Sequence, residues 1–237
     1  RRAGRALGRR IEVISGPEEA RLIYQGVAHD LPRHDEQRLL IDIGGGSTEL
    51  ILGDSHEPRT LSSTKIVAVR LTSEFIPNNP DSDRALNYLQ AIVRGQLERA
   101  IDEIKANLQP GETPKMVGTS GTIETLAAIL NLDKNGQVPD RIHGFKIQLS
   151  ELRNLINRLR RMTVAERTAI EGISERRAEI IVAGAVILQE AMTMLGMQSL
   201  SVCERSLREG VIVDWMLTQG LIEDRLKYQG SIRERST

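Results

Sequence analysis

Apolar positions follow two different periods along this chain, and segments of one period alternate with segments of the other. RLLIDI, residues 38–43, is a nearly continuous apolar run that predicts a buried strand, and TELILG, residues 48–53, predicts a second strand. Because only a short loop separates them, we expect a β-hairpin. Residues 84–107 carry apolar side chains along one side, which predicts a long amphipathic helix. A hairpin among helices favours an α/β fold with a mixed sheet flanked by helices.

The same patterns predict the other elements of the chain. Further strands are expected at residues 11–15, 64–71 and 198–204, with a short extended piece at 145–150. A helix should begin at Gly16 and Pro17, and others are expected at residues 151–161, 174–195 and 207–217. The segment KMVGTSGTIETLAAIL, residues 115–130, predicts a strand, a Gly/Ser/Thr loop and a helix.

Composition narrows the classes of protein. The chain has 237 residues, and its 32 basic and 32 acidic side chains cancel, so no net charge favours a polyanion or a membrane surface. Aromatic residues make up only 3%, which disfavours single-stranded nucleic-acid binding by base stacking. No run of the sequence is apolar enough to span a bilayer. The single cysteine, Cys203, predicts a reducing compartment, which we take to be the cytoplasm.

The glycine-rich loop between the two hairpin strands carries the main candidate chemistry. Three successive glycines allow the backbone to come close to a ligand with its N–H groups turned toward an anion. A plain hairpin turn would explain the glycines but not Asp42, since burying a lone carboxylate is costly unless it is paired or binds a metal. The loop and Asp42 together favour a phosphate and a divalent cation. Neither a Walker loop nor a Rossmann fingerprint matches, because a strand follows the loop where a helix would be required.

Two further motifs are less specific. The acids of SGPEEA, Glu18 and Glu19, stabilise a helix N-terminus by their charge, or one of them acts as a general base. The loop at residues 118–121, GTSG, precedes a helix and either binds an anion or simply caps that helix. Arg176, Arg177 and Glu179 are interpreted as a surface ion-pair cluster.

Taken in order, these segments resemble the exopolyphosphatase / guanosine pentaphosphate phosphohydrolase family. The resemblance rests on IEVISGPEEARLIYQGV, LLIDIGGGSTELILG, VGTSGTIETLAAI, GISERRAEIIVAGAVIL and SLREGV. It implies an actin-like, ribonuclease-H-type fold and removal of a terminal phosphate from polyphosphate or guanosine pentaphosphate with Mg²⁺. It also implies that Glu19 is the catalytic base, that Asp42 helps to hold the metal, and that Glu49 assists the metal or the water.

The resemblance further implies which residues bind phosphate and how the chain is divided. The implied phosphate-binding residues are Gly44, Gly45, Gly46, Ser47, Gly118, Ser120 and Gly121. Arg177 and Arg208 match family positions without an assigned role. We expect residues 1–10 to end a first domain that is missing, residues 11–220 to form the second of two similar domains, and residues 221–237 to form a charged tail. In such a pair the active site lies in the cleft between the two domains. With the first domain missing, half of that cleft is absent, and this piece alone should have little or no activity.

Two other functions stay open at this point. A kinase or chaperone-type ATPase of the same superfamily would use a similar hairpin for ATP phosphates, and saturable ATP binding would support it. A sensor would bind polyphosphate or the alarmone without cleaving it. We expect no nucleic-acid or membrane partner, and a homodimer is a further expectation.

Overall fold

The structure is a computed structural model that describes residue 8 and residues 13–30, 37–54, 57–76 and 82–223. Its strands are β1 (Arg38–Ile43), β2 (Thr48–Gly53), β3 (Pro58–Thr64), β4 (Lys115–Thr119), β5 (Lys146–Gln148) and β6 (Ser199–Val202). Its helices are α1 (Gly16–Asp30), α2 (Ala68–Phe75), α3 (Asp83–Ala106), α4 (Gly121–Asn135), α5 (Leu149–Leu159), α6 (Val164–Thr168), α7 (Glu175–Met194) and α8 (Leu207–Thr218).

The strands form one mixed sheet in the order β3-β2-β1-β4-β6-β5. The first three strands pair antiparallel, as does β5 with β6, whereas β1, β4 and β6 run parallel. The predicted hairpin is therefore confirmed, and so is the mixed sheet. Because β1 and β4 are parallel, their carboxyl ends and the loops that follow them meet at one edge of the sheet.

Helices cover both faces of this sheet, so β1 and β2 are buried along their whole length. Alternate residues of a strand point to opposite faces. Leu39 and Ile41 face the larger core, which α3, α4, α5 and α7 complete. Leu40 and Ile51 face a smaller core with Ile23 and other residues of α1. By the same alternation Asp42 and Glu49 lie on the smaller-core side, where α1 and α8 pack.

Two predicted strands are wrong. Of the strand expected at residues 11–15, the described part, Val13–Ser15, lies in no strand, and Val13 is 95% exposed; the other two positions lie outside the described residues. The strand expected at residues 64–71 is instead the end of β3 followed by α2. Ala68 and Leu71 are buried three residues apart, which is the spacing of one helix face.

The long helix was predicted to within a residue at each end. The side chain of Ser82 caps it by accepting a hydrogen bond from the Ala85 amide at 3.2 Å. Of the expected domain divisions, residues 1–10 (apart from Gly8) and 224–237 lie outside the described residues, so the division stays a prediction. Across the described ranges, no helix combines the length and apolar character that a membrane span requires.

Candidate active site

Four polar residues lie in register across one edge of the sheet. Asp42 of β1 is directly opposite Glu49 of β2 on one side and Thr119 of β4 on the other, and Glu49 is opposite Ser63 of β3. The hairpin thus brings the two predicted carboxylates together, because its four-residue loop pairs Ile43 with Thr48 and fixes the next pair.

Asp42 is only 6% exposed and accepts a hydrogen bond from the Ser206 hydroxyl to its Oδ2 at 2.6 Å. Burial raises the pKa of Asp42 to about 6, although the hydrogen bond from Ser206 acts to lower it. The negative charges of Glu19 and Glu124 raise it further. A carboxyl group in this state favours a nearby cation, which would relieve the unfavourable burial of its charge.

Glu49 is 1% exposed and accepts a hydrogen bond from the Ser63 hydroxyl to its Oε1 at 2.9 Å. Burial raises the pKa of Glu49 to about 7; hydrogen bonds from Ser47 and Ser63 oppose the shift, and the charges of Asp42 and Glu19 add to it. The hairpin therefore holds two adjacent carboxyl groups that share a poorly solvated environment.

The two acids of α1 have different surroundings. Glu18 forms an ion pair with Arg21 at 2.8 Å, and Arg21 in turn contacts Asp214 of α8 at 3.0 Å. Glu19 makes no side-chain hydrogen bond or ion pair with any residue that the structure describes, yet its charge raises the pKa of both Asp42 and Glu49. Of the two acids, Glu19 is therefore the one whose charge acts on both hairpin carboxylates.

The glycine loop turns tightly and leaves part of its backbone open. The Gly44 amide donates to the Ser47 carbonyl at 2.9 Å, which closes the turn. Gly45 and Gly46 are exposed, and a Cβ added to either would meet nothing within 4 Å. Packing against the described residues therefore does not require glycine at these two positions, and the backbone there is open to a ligand.

Ser120 has an unusual backbone where β4 passes into α4. Its φ of 105° is the only positive φ at a non-glycine residue in the described part of the chain. Its hydroxyl is buried and has no hydrogen-bond partner there. Strained backbone of this kind is concentrated at ligand-binding and active sites. The strain places an unsatisfied donor at the N-terminus of α4, whose free amides favour an anion.

A cavity of about 250 Å³ brings the two loops together with the start of α7. Gly44 and Gly45 line it from the hairpin, and Ser120 and Gly121 line it from the second loop. The remaining lining residues are Ile43, Val69, Thr122, Ser174, Arg176, Arg177 and Ile180. The two predicted phosphate-binding loops, which are far apart in the sequence, thus line one cavity. Two arginines line the same cavity and give it positive charge.

Arg177 does not belong to a surface ion-pair cluster as expected. Its Nη1 donates to the Thr122 hydroxyl at 3.0 Å, and its Nη2 lies only 2.5 Å from where a Cβ on Gly121 would be. Glycine at position 121 therefore lets the guanidinium pack directly on the backbone of the second loop. Arg176 beside it is exposed and lines the same cavity.

Three of the predicted phosphate-binding residues lie elsewhere. Gly118 is inside β4, where a Cβ would come within 3 Å of Leu200 and Ile123, so packing accounts for this glycine. Gly46 is at the exposed tip of the hairpin, and Ser47 is buried against Glu49. None of these three lines the cavity.

The donor set available to Mg²⁺ consists of Asp42 and Glu49. In the residues that the structure describes, no three His, Cys, Asp or Glu side chains come together as a metal-binding group. Mg²⁺ usually takes only one or two protein carboxylates and completes its shell with water and substrate phosphate. Asp42 and Glu49 do not themselves line the cavity. A pair of adjacent carboxylates is nevertheless a donor set that fits Mg²⁺.

Sequence reasoning missed how Ser206 contributes. The hydroxyl of this serine donates a hydrogen bond to Asp42. Two bonds to β4 hold the segment that carries it: the Cys203 amide donates to the Gly118 carbonyl at 2.8 Å, and the Thr119 hydroxyl donates to the Arg205 carbonyl at 2.7 Å. Arg208, which follows in α8, is exposed; burial raises the pKa of Glu124, and the charge of Arg208 opposes that shift.

Glycines also set the distance between the two helices above the hairpin. A Cβ on Gly26 of α1 would lie 2.4 Å from the Ser206 carbonyl oxygen, and one on Gly210 of α8 would lie 1.8 Å from that of Leu22. The helices consequently cross at backbone contact. The crossing also holds the backbone of Ser206, whose hydroxyl donates to Asp42, against α1.

Comparisons with known proteins identify the family of this chain. The sequence profile of the Ppx/GppA phosphatase family matches residues 1–219. The chain is 32% identical over 212 residues to exopolyphosphatase 1 of Mycobacterium leprae, covering 90% of this chain and 61% of that protein. It is 33% identical over 238 residues to the guanosine-5'-triphosphate,3'-diphosphate pyrophosphatase of Photobacterium profundum, covering 97% of this chain and 44% of the relative.

Solved structures are similar over the same extent. An exopolyphosphatase from Cytophaga hutchinsonii superposes with a TM-score of 0.80 at 27% identity, covering 92% of this chain and 69% of its own. The Ppx/GppA family member of Aquifex aeolicus gives a TM-score of 0.78 at 28% identity, covering 92% of this chain and 68% of its own. The expected actin-like fold is thereby confirmed, and the chain spans about half to two thirds of the length of these relatives.

Proposed function

Because this chain belongs to the Ppx/GppA phosphatase family, we propose that it forms part of an enzyme that hydrolyses terminal phosphoanhydride bonds. The proposed substrates are inorganic polyphosphate, guanosine pentaphosphate, or both, in line with the names of the two relatives. The observation that carries the proposal is the cavity where the hairpin loop, the α4 N-terminus and two arginines meet. The proposed compartment is the cytoplasm, and a homodimer stays a prediction.

In the proposed reaction the cavity holds the terminal phosphoryl group. The backbone at Gly45 and Gly121 offers N–H donors, and the unpartnered Ser120 hydroxyl offers another. Arg176 and Arg177 neutralise negative charge on the phosphate oxygens. Phosphoryl transfer proceeds through a loose transition state, so such positioning and neutralisation supply most of the catalysis.

Glu19 is the proposed general base. A water oxygen attacks the terminal phosphorus, the bridging P–O bond breaks, and the water's proton passes to the Glu19 carboxylate. The products are inorganic phosphate and a substrate shortened by one phosphate. Asp42 and Glu49 would hold Mg²⁺, which when bound neutralises charge on the phosphate oxygens. Ser206 and Ser63 keep these two carboxylates in place through their hydrogen bonds.

The full-length protein provides the test, and the chain offers a matched pair of variants. Phosphate release from polyphosphate and from guanosine pentaphosphate is measured with Mg²⁺ and with EDTA. Glu19→Gln should lower turnover by about 10²- to 10⁴-fold with little change in KM, because it removes only proton transfer. Glu18→Gln should leave turnover nearly unchanged, because Glu18 is paired with Arg21.

Three results would contradict parts of this proposal. Full turnover by Glu19→Gln would remove Glu19 from the role of base. Tight polyphosphate binding without phosphate release by the unmodified protein would support a sensor instead. Saturable ATP binding with phosphate transfer to an acceptor would support the kinase-type alternative.

A further inference from the structure

Arg167 is the largest side chain that is fully buried in the described part of the chain, and nothing in the proposed reaction uses it. It belongs to the short helix α6, and its accessible surface is 0%. No acid is paired with it among the described residues, and burial alone lowers the pKa of its guanidinium. A buried charge without a carboxylate is costly, so its hydrogen bonds must compensate.

Those hydrogen bonds all go to main-chain carbonyls at two places. Arg167 Nε and Nη2 donate to the Met162 carbonyl at 3.3 and 3.0 Å, just before α6. Its Nη1 donates to the Ala178 carbonyl at 2.6 Å, in the first turn of α7. The planar guanidinium thus bridges the α5–α6 connection and the start of α7, which a single-point ammonium could not do equally well.

The turn that Arg167 holds is the one that lines the phosphate cavity. Ser174, Arg176 and Arg177 precede Ala178 directly and form one wall of the cavity. The Arg177 and Ala178 amides both donate to the Ser174 carbonyl at 2.9 Å, so this turn is a single hydrogen-bonded unit. A shift of this unit would move the Arg177 guanidinium off Gly121, on which it packs closely.

We propose that Arg167 is a positioning residue that fixes the first turn of α7 so that Arg176 and Arg177 face the phosphate cavity. The inference rests on the proposed function for its effect on binding. Its structural part, the rigidity of the α7 turn, can be measured independently of any ligand.

The experiment compares Arg167→Lys with Arg160→Lys in this chain. Arg160 is the matched control because it is also buried, at 3% exposure, and it pairs with Asp83 of α3 and donates to Asn157 of α5. Two quantities are measured under conditions where each variant is folded. One is amide hydrogen exchange of Arg177 and Ala178, and the other is the dissociation constant for tripolyphosphate.

Arg167→Lys should speed exchange of the Arg177 and Ala178 amides at least tenfold and weaken tripolyphosphate binding about tenfold, and Arg160→Lys should change neither more than twofold. Unchanged exchange and binding in Arg167→Lys would overturn the inference. If the unmodified chain does not bind tripolyphosphate, the proposed cavity function fails, while the exchange comparison still decides the role of Arg167. Should Arg167→Lys not fold, Arg167→Met, which keeps the volume, takes its place with the same expected directions.

Discussion

The crossing of α1 and α8 leads to the strongest structural prediction, which concerns Gly210→Ala. The new Cβ would lie 1.8 Å from the Leu22 carbonyl oxygen and 2.6 Å from its carbon. Both neighbours are backbone atoms, so no side-chain rotation can make room. Since real Cβ contacts are not shorter than 3.0 Å, the helices would have to separate by about 1 Å or more at the crossing.

The cost of this separation can be bounded. Overpacking a well-packed contact typically costs about 1–3 kcal/mol, and a rigid backbone neighbour places this case at the upper end, at about 3 kcal/mol. Gly95→Ala is the matched control, since Gly95 is also helical but exposed, with nothing within 4 Å of an added Cβ. It should gain up to about 1 kcal/mol from helix propensity. Glycine-to-alanine substitution is therefore expected to lower the free energy of unfolding at position 210 and to raise it at position 95.

Urea unfolding followed by circular dichroism measures both variants, with equal m-values as the condition for comparing midpoints. Because Ser206 would move away from Asp42 with α8, Gly210→Ala should also weaken tripolyphosphate binding under conditions where it is folded. A Gly210→Ala variant as stable as Gly95→Ala would refute the close crossing of α1 and α8.

Three more predictions follow from single contacts in the site. Ser120→Gly should raise the free energy of unfolding by about 1 kcal/mol, because glycine adopts the positive φ without strain. The same change should weaken tripolyphosphate binding, because it removes the hydroxyl. A lower free energy of unfolding would contradict the strain at Ser120. Burial raises the pKa of Glu49 from its ordinary value of 4.5 to about 7 in the folded chain. The folded state therefore holds more protons than the unfolded state between these pH values, and stability should fall as pH rises through them. In EDTA-containing buffer, Glu49→Gln should flatten this slope in urea-unfolding midpoints, and an unchanged slope would assign it to other groups. Ser206→Ala should lower the free energy of unfolding by about 1–3 kcal/mol, because the buried Asp42 carboxylate loses its hydrogen-bond donor. A double-mutant cycle with Asp42→Asn should show coupling between the two positions. Additive effects would exclude the hydrogen bond.

The sequence was most informative where local chemistry and period agree. The hairpin with Asp42 opposite Glu49 could be predicted because an apolar run, a glycine loop and a second apolar run fix the register within a few residues. The long helix α3 was predicted for the same reason, since its apolar stripe repeats over many turns. Both depend on residues that are close in the chain.

The sequence misled where burial depends on distant partners. The apolar residues before and within α2 predict a strand by their local pattern, but this segment forms a helix that packs against α7. The more polar segment 58–64 is instead the outer strand of the sheet. Arg176 and Arg177 resembled a surface cluster, because nothing in their own segment shows that α7 begins beside the loop at Ser120.

The sequence by itself therefore determined the chemical groups: a glycine turn, its flanking carboxylates and a second Gly/Ser loop. Tertiary structure decided which of them act together. Parallel pairing of β1 with β4 joined the two loops, the segment before α8 brought Ser206 to Asp42, and α7 supplied the arginines. The physical reason is that a local pattern fixes the face on which a side chain lies, whereas its neighbours from distant segments are fixed only when the whole core packs.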